Sequence, residues 1–246
     1  MAGAVSTVAV FGHEARTEES RSAGGIKAIA FDAFVIFDSR TVEKRVIEEV
    51  PERGSELASL WRTRQFEYCW LRTAGGQYAD FWQVTDDALR YAEKSLKISL
   101  SSAQHETLMD AYRSLSPWPD VREGLVQLRQ LGIRMAFLTN FTAAMLDANL
   151  KAAGLGEFFE SHLTTDRVNA YKPNPRAYQM GPTEFRLQKR AIAFAASAAW
   201  DAAGAKWFGY PTIWVNRGGI PQEELHAQPD VIAKDLDGLT NFVRTS

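Results

Sequence analysis

The chain has 246 residues, 46% of them hydrophobic and 24% charged, with a formal net charge of −2. That length suits one sizeable domain, or a core with a smaller insert. The charge balance lacks the basic excess of a nucleic-acid or membrane-surface binder. Cys69 is the only cysteine, which excludes an intrachain disulfide and a thiolate-rich metal site. No apolar run reaches membrane-spanning length.

Residues 1–25 begin with an apolar stretch, Met1 to Gly12, that lacks a basic n-region and runs into the charged E-A-R-T-E-E-S-R. That is a poor secretory signal, and the segment reads as an N-terminal extension. A cytoplasmic location is expected, or a periplasmic one if these residues are a degraded or truncated leader. Ile26 to Phe31 then reads as a buried strand ending on Asp32. Taken alone, Asp32 is either a turn or helix cap or a nucleophile or metal ligand at the carboxyl edge of a parallel sheet.

From 41 to 115 the chain is aromatic-rich and reads as an all-helical insert. Ser55 to Leu71 has Leu57, Leu60, Trp61, Arg64 or Gln65, Tyr68 and Leu71 at helical spacing, with Ser55 as the N-cap. Gly75-Gly76 interrupts the pattern. Helical spacing resumes over Tyr78 to Leu96 and again over Ser101 to Leu115, where Ser116-Pro117-Trp118-Pro119 ends it. Alternation follows: helix Val121 to Leu131, strand Arg134 to Thr139-Asn140, helix Ala143 to Ala153, and a short strand Ser161 to Thr165. Next come a helix from Asn174 to about Leu187 disturbed by Gly181-Pro182, strand Ala191 to Ala196, helix Trp200 to Phe208, and strands at Thr212 to Asn216 and Val231-Ile232. The order predicts an α/β fold with a doubly wound parallel sheet. The core would comprise 26–40 and 116–246, and the helical cap subdomain 41–115.

Polar residues close successive strands or open the loops after them: Asp32, Thr139-Asn140, Lys172 and Asp201. Each alone reads as a cap, a turn or a solvated side chain, but parallel strands bring their carboxyl ends to one edge. In this order the four resemble the haloacid dehalogenase superfamily. The stretches W-R-T-R-Q-F-E-Y-C-W-L-R, Y-A-D-F-W-Q-V-T-D-D-A-L-R-Y, Y-K-P-N-P-R-A-Y and A-W-D-A-A-G-A-K-W-F-G resemble the L-2-haloacid dehalogenases within it, over roughly residues 26–220.

The resemblance implies hydrolysis of a short 2-haloacid or haloacetate to a 2-hydroxyacid. Asp32 would form an ester with the halogen-bearing carbon. Lys172 would hold Asp32, with Asp201 anchoring Lys172. Arg62 would accept the halide, assisted by Asn140, while Thr139 and the backbone N–H groups of Ala33 and Phe34 hold the substrate carboxylate. Phe81 and Trp200 would line the pocket, with Phe66, Tyr178 and Ser197 in support. No cofactor or metal is implied, and the family commonly forms homodimers through the insert. His13, His105, His162 and His226 show no metal-ligand spacing.

Phe34 stands where the phosphatase branch of the superfamily has a second Asp as general acid, and it cannot donate a proton. Two alternatives stay open. One is a magnesium-dependent phosphatase; the other is a catalytically impaired protein binding small carboxylates or a partner. Two departures from the family pattern motivate the latter. The run Asp32-Ala33-Phe34-Val35-Ile36-Phe37 is one residue short and lacks the Thr whose hydroxyl normally bonds the nucleophile. In addition, Ala196 and Ala198 replace a Ser and an Asn expected near the lysine and the hydrolytic water. The expectation is a slow or differently selective dehalogenase, with ester hydrolysis the step affected.

Overall fold

A computed structural model describes residues 25–246. His13 and the expected extension, except its last residue, lie outside them. Six strands form one parallel sheet: β1 (Ala28–Phe31), β2 (Arg134–Thr139), β3 (His162–Thr164), β4 (Ile192–Ala196), β5 (Thr212–Val215) and β6 (Val231–Ala233), in the order β3-β2-β1-β4-β5-β6. The central strand is β1, with Phe31 opposite Phe137 of β2 and Ala195 of β4.

The central strands β1 and β4 are apolar at every step because both faces are covered. Ile29, Phe31, Met135, Phe137, Ile213 and Val215 enter the core on one face. Ala28, Ala30, Ala136, Leu138, Phe194 and Trp214 enter a second core on the other. The first face packs on α6 (Val121–Gln130), α7 (Ala143–Ala153) and α10 (Leu236–Thr245); the second packs on α8 (Pro175–Phe185) and α9 (Ala199–Phe208). The doubly wound α/β expectation holds. The C-terminal helix α10, with Leu236, Leu239 and Val243 buried, was not anticipated.

A one-turn helix not anticipated from the sequence, α1 (Ala33–Ile36), follows β1, and the expected helical insert is formed by α2 (Arg40–Glu49), α3 (Gly54–Ala74), α4 (Phe81–Leu96) and α5 (Ser102–Asp110). Two details of the expected insert are corrected, the Ser55 cap and the inward Leu71, and the choice between Arg64 and Gln65 is resolved. Arg53, not Ser55, occupies the N-cap of α3, where its guanidinium bonds Glu56 at 2.7 Å and the Leu96 carbonyl at 2.6 Å; Ser55 is exposed in the first turn. The inward face runs Leu57, Trp61, Gln65, Cys69, in steps of four. Leu71 stands two positions past Cys69, on the opposite side of the helix, and is 63% exposed. Gln65 rather than Arg64 turns inward because Thr85 accepts its amide N–H (2.6 Å) and Tyr112 donates to its oxygen (3.1 Å).

The Gly181-Pro182 disturbance is also corrected, since α8 continues through Pro182. Proline removes the N–H that would meet the carbonyl four residues back, here that of Tyr178. The Tyr210 hydroxyl donates to that carbonyl instead, at 2.6 Å. Gly181 makes the approach possible: a Cβ there would lie 2.2 Å from the Tyr210 oxygen.

Candidate active site

Asp32 follows β1 directly, and its backbone N–H still pairs with Ala195 of β4 (2.9 Å). It caps α1 by accepting the Phe34 N–H on Oδ2 (3.2 Å). A one-turn helix has little internal bonding, so its carbonyls need outside donors. Phe37 N–H meets Ala33, Trp118 Nε1 meets Phe34 (3.2 Å), Arg217 meets Val35 (3.4 Å), and Trp118 N–H meets Ile36 (3.1 Å). The carboxylate therefore sits on a turn tied down from the loops after α5 and β5.

Lys172 reaches this carboxylate from the loop between β3 and α8. Its Nζ lies 2.9 Å from Asp32 Oδ1 and 2.5 Å from Asp201 Oδ2. All three side chains are buried. Burial opposes the Lys172 charge, but Asp201 and Asp32 outweigh it and hold its pKa above the ordinary lysine value. Burial pushes the Asp201 carboxyl up to about 6, with Lys172 pulling the other way. Tyr178 donates to Asp201 Oδ1 at 2.7 Å. This contact requires Gly204, whose Cβ would lie 2.5 Å from the Tyr178 oxygen.

The loop carrying Lys172 is clasped by the helical insert. Tyr171 N–H donates to Thr73 Oγ1 (3.0 Å) at the end of α3, and the Tyr171 hydroxyl donates to the Ala79 carbonyl (2.6 Å). The Tyr171 ring lies 4.9 Å from that of Tyr78, whose hydroxyl donates to Asp166 (2.7 Å). From the core side, Asn140 Oδ1 accepts the Lys172 N–H (3.2 Å).

Asp32 and Asp201 open into an enclosed cavity lined also by Phe34, Arg62, Phe66, Phe81, Thr139, Asn140, Phe141, Ser197, Ala198 and Trp200. Its free interior is only ≈ 10 Å³, room for about one water. Arg62, on α3, has no ion pair among the described residues; its guanidinium lies over Phe34 (5.2 Å) and Phe66 (5.4 Å). The Ser197 hydroxyl donates to Asp32 Oδ2 at 2.6 Å. No group of three or more His, Cys, Asp or Glu side chains suited to a metal is found among the described residues.

The structure thus gathers Asp32, Phe34, Arg62, Phe66, Phe81, Thr139, Asn140, Ser197, Trp200 and Asp201 around one cavity, with Lys172 and Tyr178 behind it. Ala33 differs: its side chain packs into the core. Two aromatics went unassigned in the sequence. Phe141 lies edge-on to Phe34 (5.1 Å) and stacks with Phe81 (5.5 Å); its place directly after the polar strand end was the available signal. Trp70 lies edge-on to Trp200 (5.5 Å) and continues the aromatic wall to the surface.

Comparison with known proteins agrees with this fold. The family model described as haloacid dehalogenase-like hydrolase matches residues 26–209. An (S)-2-haloacid dehalogenase of Pseudomonas sp. (strain YL) is 39% identical over 222 residues, 90% of this chain and 96% of that protein. A crystal structure of an L-2-haloacid dehalogenase aligns with TM-score 0.87 and 38% identity, covering 89% of this chain and 99% of the other. The Xanthobacter autotrophicus L-2-haloacid dehalogenase with chloropropionic acid covalently bound aligns with TM-score 0.82 and 30% identity, over 89% and 98%. The chain belongs to the haloacid dehalogenase-like hydrolases and, within them, to the L-2-haloacid dehalogenases.

Proposed function

We propose that the protein hydrolyses short L-2-haloacids and haloacetates to 2-hydroxyacids through an ester on Asp32. The observation that carries this reading is the Lys172 ammonium 2.9 Å from Asp32, whose carboxylate opens into a cavity that Arg62 also lines. A carboxylate oxygen displaces the halide, which leaves with the bonding electron pair. Arg62 and the Asn140 amide group receive its charge, while Asn140 Oδ1 is engaged with Lys172. Thr139 and the N–H group of Ala33 hold the substrate carboxylate, the Phe34 N–H being engaged with Asp32 Oδ2. Water then cleaves the ester. Phe34, packed edge-on to Phe141, keeps water from the displacement step and offers no proton to an alcohol leaving group.

A haloacid exceeds the free space around Asp32, so the side chains lining the cavity must make room for it. Residues 41–115 act as a cap over a core of 26–40 and 116–246. The half-exposed Trp70 and exposed Leu71 on α3 offer an apolar surface for a homodimer, which size-exclusion chromatography with light scattering tests. The activity is tested by chloride release from L-2-chloropropionate. Release that persists in Asp32→Asn, or turnover of a generic phosphate ester with magnesium, overturns the reading.

A further inference from the structure

The two oxygens of Asp32 have different surroundings. Among the described residues, Oδ1 accepts one hydrogen bond, from the Lys172 ammonium at 2.9 Å. Oδ2 accepts two, from the Ser197 hydroxyl at 2.6 Å and the Phe34 N–H at 3.2 Å. A carboxylate oxygen has two lone-pair directions in its plane. Both are engaged on Oδ2, and one remains open on Oδ1.

Ser197 is held for this contact. It directly follows β4, the strand beside β1, and its own carbonyl accepts the Trp214 indole N–H at 3.1 Å. Its neighbours Ala196 and Ala198 carry no polar group, and the shortened Asp32-Ala33-Phe34-Val35-Ile36-Phe37 turn supplies no hydroxyl. Of the three lost polar side chains that the family pattern would place here, none is present to serve ester hydrolysis. Ser197 and Phe34 supply two neutral donors on one oxygen instead.

We propose, building on the ester mechanism above, that the Ser197 hydroxyl and the Phe34 N–H form the oxyanion pocket of the hydrolytic half-reaction. Oδ1, with its open lone pair, attacks the halogen-bearing carbon, and the carbon–halogen bond breaks with its electrons going to the halide. The ester that results keeps Oδ2 as its carbonyl oxygen. Water adds to Cγ, and the carbonyl π pair moves onto Oδ2, where Ser197 and Phe34 meet the developing charge. When the carbonyl re-forms, the Cγ–Oδ1 bond breaks, and Oδ1 departs with a proton from the water as the new hydroxyl of the 2-hydroxyacid. The oxygen of water stays on Asp32, whose remaining carboxyl proton passes to solvent.

The test is Ser197→Ala and Ser197→Thr assayed with L-2-chloropropionate, following chloride, lactate and the mass of the Asp32 peptide. In Ser197→Ala the first equivalent of chloride is expected at close to the wild-type rate. Steady turnover falls by ~10²-fold, the range of a lost oxyanion donor, and an ester adduct accumulates. Ser197→Thr, which restores a hydroxyl, is expected to recover most of the turnover and to clear the adduct. Wild-type turnover in Ser197→Ala overturns the proposal. So does an equal fall in chloride burst and steady rate without adduct, the pattern of a residue that only shapes the nucleophile. Absence of chloride release from the wild type itself overturns the dehalogenase reading, and this proposal with it.

Discussion

Tyr210 repairs the helix that Pro182 interrupts: its hydroxyl, 2.6 Å from the Tyr178 carbonyl, replaces the missing backbone donor. Tyr178 in turn holds Asp201, so the repair sits one residue away from the site's charge network. Removing the hydroxyl in Tyr210→Phe leaves a buried carbonyl without a donor, at a cost of about 1–3 kcal/mol. Gly181→Ala drives a methyl into the Tyr210 oxygen and costs a similar amount through overpacking. In the double variant the oxygen is gone, so urea unfolding is expected to give a loss smaller than the sum of the two.

Lys172→Met leaves Asp32 and Asp201 buried without their shared cation. Breaking such a network costs about 3–5 kcal/mol, and dehalogenation is expected to vanish. Without the ammonium, which pulls its pKa down, the Asp201 carboxyl binds its proton more readily. The stability deficit relative to wild type is therefore expected to shrink as pH is lowered from 8 to 5, read from urea midpoints.

Asp201 sets an acid limit. Its folded value, about 6, lies above its ordinary 3.8, so the folded state binds this proton more tightly than the unfolded chain does. This contribution to stability is fully present below pH 3.8 and is lost as pH rises through 6, a change on the order of 3 kcal/mol. Urea midpoints of the wild type are expected to fall relative to those of Asp201→Asn over that window. Activity runs the other way. Protonated Asp201 no longer anchors Lys172 as an anion, so the rate is expected to drop below about pH 6, and the pH–rate profile checks it.

Arg62 spreads its guanidinium over the rings of Phe34 and Phe66, a geometry that a lysine ammonium cannot copy. Arg62→Lys keeps the charge but loses this registration. Chloride release is expected to fall by about 10²-fold, the range for losing a donor aimed at developing charge. Stability is expected to change little, because Arg62 makes no ion pair among the described residues.

Trp200 lines the cavity that the haloacid would occupy. An unreactive short carboxylate such as propionate is expected to change the tryptophan fluorescence of the wild type, and Trp200→Phe to lose most of that change. An unchanged spectrum at saturating inhibitor would place the entry route elsewhere.

The sheet was readable because each strand is a short apolar run closed by a polar residue or a glycine turn, and burial on two faces leaves no alternation to confuse it. Asp32, Lys172 and Asp201 were readable because parallel strands bring their ends to one edge. Three features were not. The Ser55 cap failed because Arg53 finds partners at Glu56 and at Leu96, forty-three residues away, which local pattern does not register. The disturbance expected at Pro182 was absent because its remedy, Tyr210, comes from another element. Ser197 was visible as a position, but its hydroxyl contact joins it to Asp32, 165 residues away, which local pattern does not register.

Tyr171 binds the tip of the α3–α4 hairpin on one side and continues directly into Lys172 on the other. The hairpin is consequently more than a cover. Any tilt that admits a substrate pulls on the segment bearing the ammonium, so opening the entrance and loosening the grip on the nucleophile become a single movement. A substitution as remote as Thr73→Val would then be felt in the chemistry without touching the substrate.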